Sequence, residues 1–487
     1  MEAAREKSRL QALFSAQDMS QGAPWRRILE FSLPMLIGNL AQQMYNTADS
    51  VIVGMYVGDN ALAAVGSASP ILNLLLALFV GVATGAGILV SQYFGAHDRE
   101  RLASVVGNCI TLTLIASAAI MVLGPLLTGP LLRLLNTPPS IIGWCADYLN
   151  IYFFGIVGFS AYNMLSGVLR GLGDSLSALV FLCCATVLNI GLDVWFVAGF
   201  HMGVAGVSLA TVIAQAISAV LCYAKLVHMH DVFTLRPAHL KPQREYVGKI
   251  IHLGVPSGVT QAIFSMAMLV VQSLTNSFGE AVIACNVIVM RVDGFAMMPN
   301  FTFGQALTTF TGQNVGAGRL DRVHKGAKQG TLMAFGCAVL LTLCILLFGR
   351  PLMSIFTDTA SLVELSYHMM SILAAGYLGM AVTQSLSGVM RGAGDTMTPM
   401  WISLITTVML RVPIAYAIAW FTRSADYPVG RPESVFVSML ISWVLGAFIT
   451  IFAYRLGRWR KRLPAALREQ AGFSRAANRR AAKQRSS

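Results

Sequence analysis

Ser166-Gly-Val-Leu-Arg-Gly-Leu-Gly-Asp174 returns 221 residues later as Ser387-Gly-Val-Met-Arg-Gly-Ala-Gly-Asp395. Over the 14 residues starting at Ser166 and at Ser387, seven are identical. The same offset pairs Gln92, Gly95, Ala96 and Arg101 with Gln313, Gly316, Ala317 and Arg322, and Pro130-Leu131 with Pro351-Leu352. Pro34 meets Pro256 one residue out of register. The chain is therefore an internal duplication, and each copy of the motif is a short polar turn between long apolar stretches.

Those stretches decide the class. Of the 487 residues 55% are apolar and only 12% charged, with a mean hydropathy of +0.65. A soluble protein carries roughly 25% charged residues, so this chain cannot cover a water-facing globule of its size. About 20 consecutive apolar residues cross a bilayer as a helix, and twelve such segments can be marked. In the first half they run near residues 28–56, 61–85, 104–127, 141–168, 177–198 and 204–227; in the second, near 248–278, 281–307, 330–347, 362–389, 399–421 and 435–453. The first is preceded by charged residues and is too long for a signal-peptide core, so it reads as a span.

The expected fold is all-α integral membrane: twelve transmembrane helices in two six-helix lobes. Six spans per half give both halves the same orientation, which implies a pseudo-two-fold along the membrane normal, the parallel-repeat plan of secondary transporters. The expected divisions are a cytoplasmic segment 1–26, a lobe 27–227, a linker 228–247, a lobe 248–455 and a basic tail 456–487.

Charge fixes the expected topology. The formal net charge of +13 comes from 35 Lys+Arg against 22 Asp+Glu. On one set of alternating loops and tails lie 29 of the Lys and Arg; the other holds only Arg133, Arg350, Arg423 and Arg431. By the positive-inside rule both termini are cytoplasmic, and the basic excess answers to membrane headgroups instead of nucleic acid. The eight cysteines lie in or beside apolar segments without metal-ligand spacing, which points to packing and not to disulfides or zinc. The Gly171-Leu-Gly173 and Gly392-Ala-Gly394 turns lack the lysine of a phosphate-binding loop, so no ATP motor is encoded.

Polar residues inside spans are costly and usually functional. In the first span Asn39, Gln42, Asn46 and Asp49 share one helical face, and so do Asn189 and Asp193 in the fifth and Thr211 and Gln215 in the sixth. Two carboxylates, an amide oxygen and a hydroxyl are hard oxygen ligands, fit for a small cation or a proton. A satisfied interior hydrogen-bond network that carries no ion is the alternative. The second half does not repeat the set, because Asp49, Asn189 and Asp193 project onto Val270, Leu410 and Ile414. It carries instead Arg291 and Asp293 in the eighth span and Arg411 beside Pro413. Residues two apart on a helix point away from each other, so Arg291 and Asp293 are not simple mutual neutralisers. Asp293 reads equally as a structural ion pair and as a coupling group. Pro34 and Pro256 mark kinks in the first and seventh helices.

At this point the chain resembles the multidrug and toxic compound extrusion (MATE) family, bacterial type. The resemblance runs from about Pro24 to Arg455. It rests on Asn46-Thr-Ala-Asp-Ser-Val-Ile-Val-Gly54, on Gln92-Tyr-Phe-Gly-Ala96 with Gly312-Gln-Asn-Val-Gly-Ala317, and on the two Arg-Gly-x-Gly-Asp turns. Leu188-Asn-Ile-Gly-Leu-Asp193 followed by Gly203-Val-Ala-Gly-Val-Ser-Leu-Ala-Thr211 completes it. The resemblance implies two six-helix lobes around a central cavity and export of organic molecules driven by sodium or proton entry. It also implies a cation site in the first lobe, at positions matched by Asp49, Asn189, Asp193 and Thr211, where sodium is one candidate occupant. The NorM branch has an acidic residue early in the seventh helix, where Phe264 stands here, and its coupling route through the second lobe is not expected.

The expected function is thus a secondary antiporter of drug-like, often cationic or amphipathic compounds, working as a monomer in the cell membrane. It would be no enzyme and hold no resident cofactor. Asn39, Gln42, Asn46, Gln215, Phe264, Arg291 and Asp293 are candidate cavity residues, and the 24 methionines suit a plastic cavity. A flippase for a lipid-linked oligosaccharide is the rival; its pyrophosphate cargo needs more cationic residues than Arg291 and Arg411 supply. A channel would need a repeated selectivity motif, and a membrane enzyme paired catalytic groups at an interface.

Overall fold

The structure is a computed structural model that describes residues 15–134, 137–425, 427–463 and 467. Among them the regular structure is helical. The first half holds α1 (Pro24–Tyr56), α2 (Asp59–Gly95), α3 (Arg99–Leu134), α4 (Ile142–Phe154), α5 (Ile156–Gly171), α6 (Ser175–Asp193) and α7 (Gly203–Val227). The second holds α8 (Arg244–Ser277), α9 (Glu280–Gly316), α10 (Leu320–Ser354), α11 (Ala360–Ala374), α12 (Gly376–Gly392), α13 (Met397–Ser403), α14 (Arg411–Phe421) and α15 (Glu433–Leu456). Nine helices are long and apolar enough to cross a bilayer singly among the described residues, and two bent pairs do so jointly. With the 33-residue α1 they make the twelve spans read from the sequence.

The two halves repeat one plan. Each has three long helices, a bent pair, a helix carrying a π-helical stretch, and a last straight helix. The fourth and tenth spans, expected as continuous, are bent: α4 meets α5 at 53° and α11 meets α12 at 44°. The π-helical stretches are Val194–Gly199, directly after α6, and Leu404–Leu410, between α13 and α14. Such single π turns interrupt the regular ladder and recur at functional sites.

The repeated motif explains the core of each unit. In the first, α5 packs on α2, α3 and α7; in the second, α12 packs on α9, α10 and α15. The motif glycines lie at the helix crossings. A Cβ on Gly171 would stand 2.6 Å from the Gly87 carbonyl oxygen, and one on Gly388 would overlap the Gly304 carbonyl. Only a residue without a side chain allows backbones this close. Gly173 and Gly394, with φ of 84° and 94°, then reverse the chain at left-handed angles, and Asp174 and Asp395 accept from the amides of Ser177 and Thr398 to start the next helices. Outward faces carry exposed Leu126, Val187, Val220, Leu332, Leu347 and Phe448, the surface a helix presents to acyl chains.

The compact units divide the chain differently from the sequence boundaries at 227 and 248. Leu33–Gly258 belong to the first unit, whereas Met19–Ser32 belong with Val259 and the helices after it to the second. The chain thus changes unit inside α1, next to Pro34, and inside α8, next to Pro256. Contacts within each unit explain the division. Arg322 donates from Nη1 to the Gly22 carbonyl at 2.7 Å and from Nη2 to that of Met19 at 3.0 Å. In the first unit Asn108 accepts from the Gln243 amide at 2.7 Å, and His239 pairs with Glu100 at 2.9 Å. Gly254 and Gly258 of α8 lie against Gly85 and Gly81 of α2. The linker 228–247 is therefore part of the first unit. Most of the basic tail, 456–487, lies outside the described residues.

Candidate functional site

Asn189 and Asp193 occupy the last two turns of α6, four residues apart on one face, and both are fully buried. The neighbouring α7 turns Thr211 and Gln215 toward the same interior, also buried. Asn189 Nδ2 lies 3.5 Å from Thr211 Oγ1, a long hydrogen bond that nonetheless ties the two helices at this level. The Gln215 side-chain oxygen is buried and accepts no hydrogen bond among the described residues. Directly after Asp193 the backbone turns π-helical, so the carboxylate stands where the helical ladder changes pitch.

The chemistry of this set is that of hard oxygens in an apolar surround. No cluster of three or more His, Cys, Asp or Glu occurs among the described residues, so a transition-metal centre is not indicated there. The site's oxygens are those suited to sodium or a proton.

The other sequence candidates fall in distinct places. Asn39 and Gln42 are half-buried on α1. Asn46 and Asp49 lie on the same helix, but their side chains are outside the described residues. Phe264 is half-buried on α8, and Arg291 is exposed on α9. Asp293, half-buried on α9, accepts a 2.8 Å hydrogen bond from the Tyr377 hydroxyl on α12 and makes no ion pair among the described residues. Tyr377 was not legible as a site residue, because its partner lies 84 positions away in sequence.

Two units of matching helix order, with ionisable groups buried inside apolar spans, have the build of a polytopic membrane transporter. The MatE family profile matches the chain twice, over residues 34–195 and 256–417, once per half of the duplication. The chain belongs to the multidrug and toxic compound extrusion family. The probable multidrug resistance protein YpnP of Bacillus subtilis is 30% identical over 91% of this chain and 98% of its own. YoeA of the same organism, another probable multidrug resistance protein, is 28% identical over 92% of this chain and 96% of its own. Among solved structures, an outward-facing multidrug resistance MATE transporter superposes with a TM-score of 0.83 at 23% identity, over 90% of this chain and 97% of its own.

Proposed function

We propose that the protein exports organic, amphipathic or cationic compounds in exchange for sodium or protons, by alternating access. The observation that carries this is the buried Asn189–Asp193–Thr211 set between α6 and α7 of the first unit. Asp49 on α1 is the second carboxylate of that site in this reading. A cation bound there exchanges the solvation cost of the carboxylates for direct coordination. It moves the conformational equilibrium only to the extent that it binds one state more tightly than the other.

The energetics are sufficient. An inward-moving charge gains about 2.3 kcal/mol per 100 mV, and a tenfold concentration gradient adds about 1.4 kcal/mol. Together they sustain a gradient of several hundredfold for a neutral cargo. For a monocationic cargo exchanged one for one, the potential cancels and only about tenfold remains, so strong concentration of such a cargo needs more than one coupling ion. The prolines at both unit changes support two bodies that move by bending α1 and α8, because Pro removes a ladder hydrogen bond and weakens the helix there.

The orientation we infer has both termini in the cytoplasm of a bacterial-type cell, with the protein in the cell membrane as a monomer. The deciding experiment is reconstitution into proteoliposomes with sodium and proton gradients imposed independently. Dye movement that follows neither gradient overturns the coupling.

A further inference from the structure

Apart from the cation site, the first unit holds a groove of about 440 Å³ between α3, α5 and α7. Small residues make room for it. A Cβ on Gly158 would stand 2.8 Å from the Ala216 amide nitrogen, so α5 and α7 meet backbone to backbone there, and Ala161 and Ala219 extend the same lining. Leu114, Val220 and Tyr223, all exposed, complete the lining on the outward side. Among the lining side chains only Thr113 and Tyr223 are polar, and Thr113 gives its hydroxyl to the Cys109 carbonyl at 2.8 Å.

Along α7 the groove runs from Val212 to Tyr223, a rise of about 16 Å. Half of a bilayer's hydrocarbon core is about 15 Å, so the groove has the length of one leaflet. That leaflet is the one on the linker's side, because Tyr223 lies one turn before α7 ends at Val227. A tyrosine at this depth sits where spans meet headgroups. The same side carries positive charge. Thr111, next to the lining Ile110, donates to the Leu240 carbonyl at 2.6 Å, and Asn108 accepts from the Gln243 amide at 2.7 Å. These two bonds hold the exposed Lys241 against α3, and the exposed Arg244 opens α8 three residues on. Neither makes an ion pair among the described residues, and the adjoining Glu245 is engaged by Lys249 at 2.6 Å.

We propose that this groove is a binding site for an anionic phospholipid. One acyl chain lies between α3, α5 and α7, and the phosphate-bearing headgroup meets Lys241 and Arg244. The apolar lining offers a polar solute nothing to hold, whereas the groove's length suits a chain of the surrounding leaflet and the basic pair complements a negative headgroup. The site is independent of the export reading, since binding is measured without transport.

The test uses the full-length protein in nanodiscs of neutral lipid, with a small fraction of phosphatidylglycerol or phosphatidylcholine carrying a diazirine in one acyl chain. After illumination, adducts are mapped by mass spectrometry. Phosphatidylglycerol is expected to label the stretches around Leu114 and Val220 about tenfold more than phosphatidylcholine does, and more than it labels the exposed Val187 and Leu332. Lys241→Gln with Arg244→Gln, both at exposed positions, should bring phosphatidylglycerol down to the phosphatidylcholine level. Ala161→Trp fills the groove and should lower its adducts at least about fivefold. Should that variant fail to fold, Val220→Trp, at a position 65% exposed, decides the matter with the same expected loss. Equal labelling by the two lipids in the wild type overturns the anionic site. Labelling spread evenly over Val187 and Leu332, or unchanged when the groove is filled, overturns the groove as a site at all.

Discussion

Arg322→Ala should loosen the N-terminal segment from the second unit without touching either polar cluster. Arg322 is 8% exposed and holds the Met19 and Gly22 carbonyls, while its Nε donates to Asn314 Oδ1 at 2.9 Å. Each charge-assisted bond contributes about 1.5–3 kcal/mol net. The Met19 carbonyl keeps a 3.3 Å bond from Asn314 Nδ2 in the variant, so the local loss should be about 2–4 kcal/mol rather than the sum. The Met19 and Trp25 amides, bonded to Gln313 and Gln329 at 2.8 Å and 3.0 Å, report it directly. Their hydrogen exchange should accelerate by about 30-fold to about 1,000-fold, the factor that such a local opening energy allows. Amides within α5 should be unaffected. Arg322→Lys should lie between, because a point charge cannot bond two carbonyls and Asn314 in one plane. Unchanged exchange across 19–25 in Arg322→Ala would refute the reasoning.

Three further outcomes are expected. Thr211→Val keeps the shape but removes an oxygen from the cation site, and should raise the cation concentration for half-maximal efflux by about two- to tenfold; an unchanged value removes Thr211 from the site. Gly388→Ala places a Cβ on the Gly304 carbonyl and should cost about 1–3 kcal/mol, read as a lower thermal midpoint in detergent, whereas wild-type stability would mean that α9 and α12 separate freely. Phe264→Ala should change which dyes are exported and leave the cation dependence intact; loss of that dependence would put coupling in the second lobe.

Much of this was legible in the sequence because membrane physics leaves few options. Apolar runs of span length must be helices, since lipid offers backbone groups no partner, and the Ser166 and Ser387 motifs expose the duplication directly. Asn189 with Asp193, and Thr211 with Gln215, were readable from spacing alone, because residues four apart share a face on any helix. Three features were not. The bends at Gly155 and Ala375 and the π-helical stretches alter pitch without altering hydropathy. The exchange of helix ends between units depends on contacts such as Arg322 with Met19, some 300 residues apart in the chain. Likewise Arg411 is visible as an intramembrane charge, but its meeting with Trp443 comes from the packing of α14 on α15.

The most direct measurement is dye transport in proteoliposomes under separately imposed sodium and proton gradients, for the wild type, Asp49→Asn, Asp193→Asn and the double variant. Two carboxylates around one cation act as a unit. The expected result is that one gradient drives the wild type, that each single substitution abolishes nearly all of the driven component, and that the double variant is no worse than either. Transport indifferent to both gradients, or losses from the two substitutions that simply multiply, would contradict a single cation site in the first lobe.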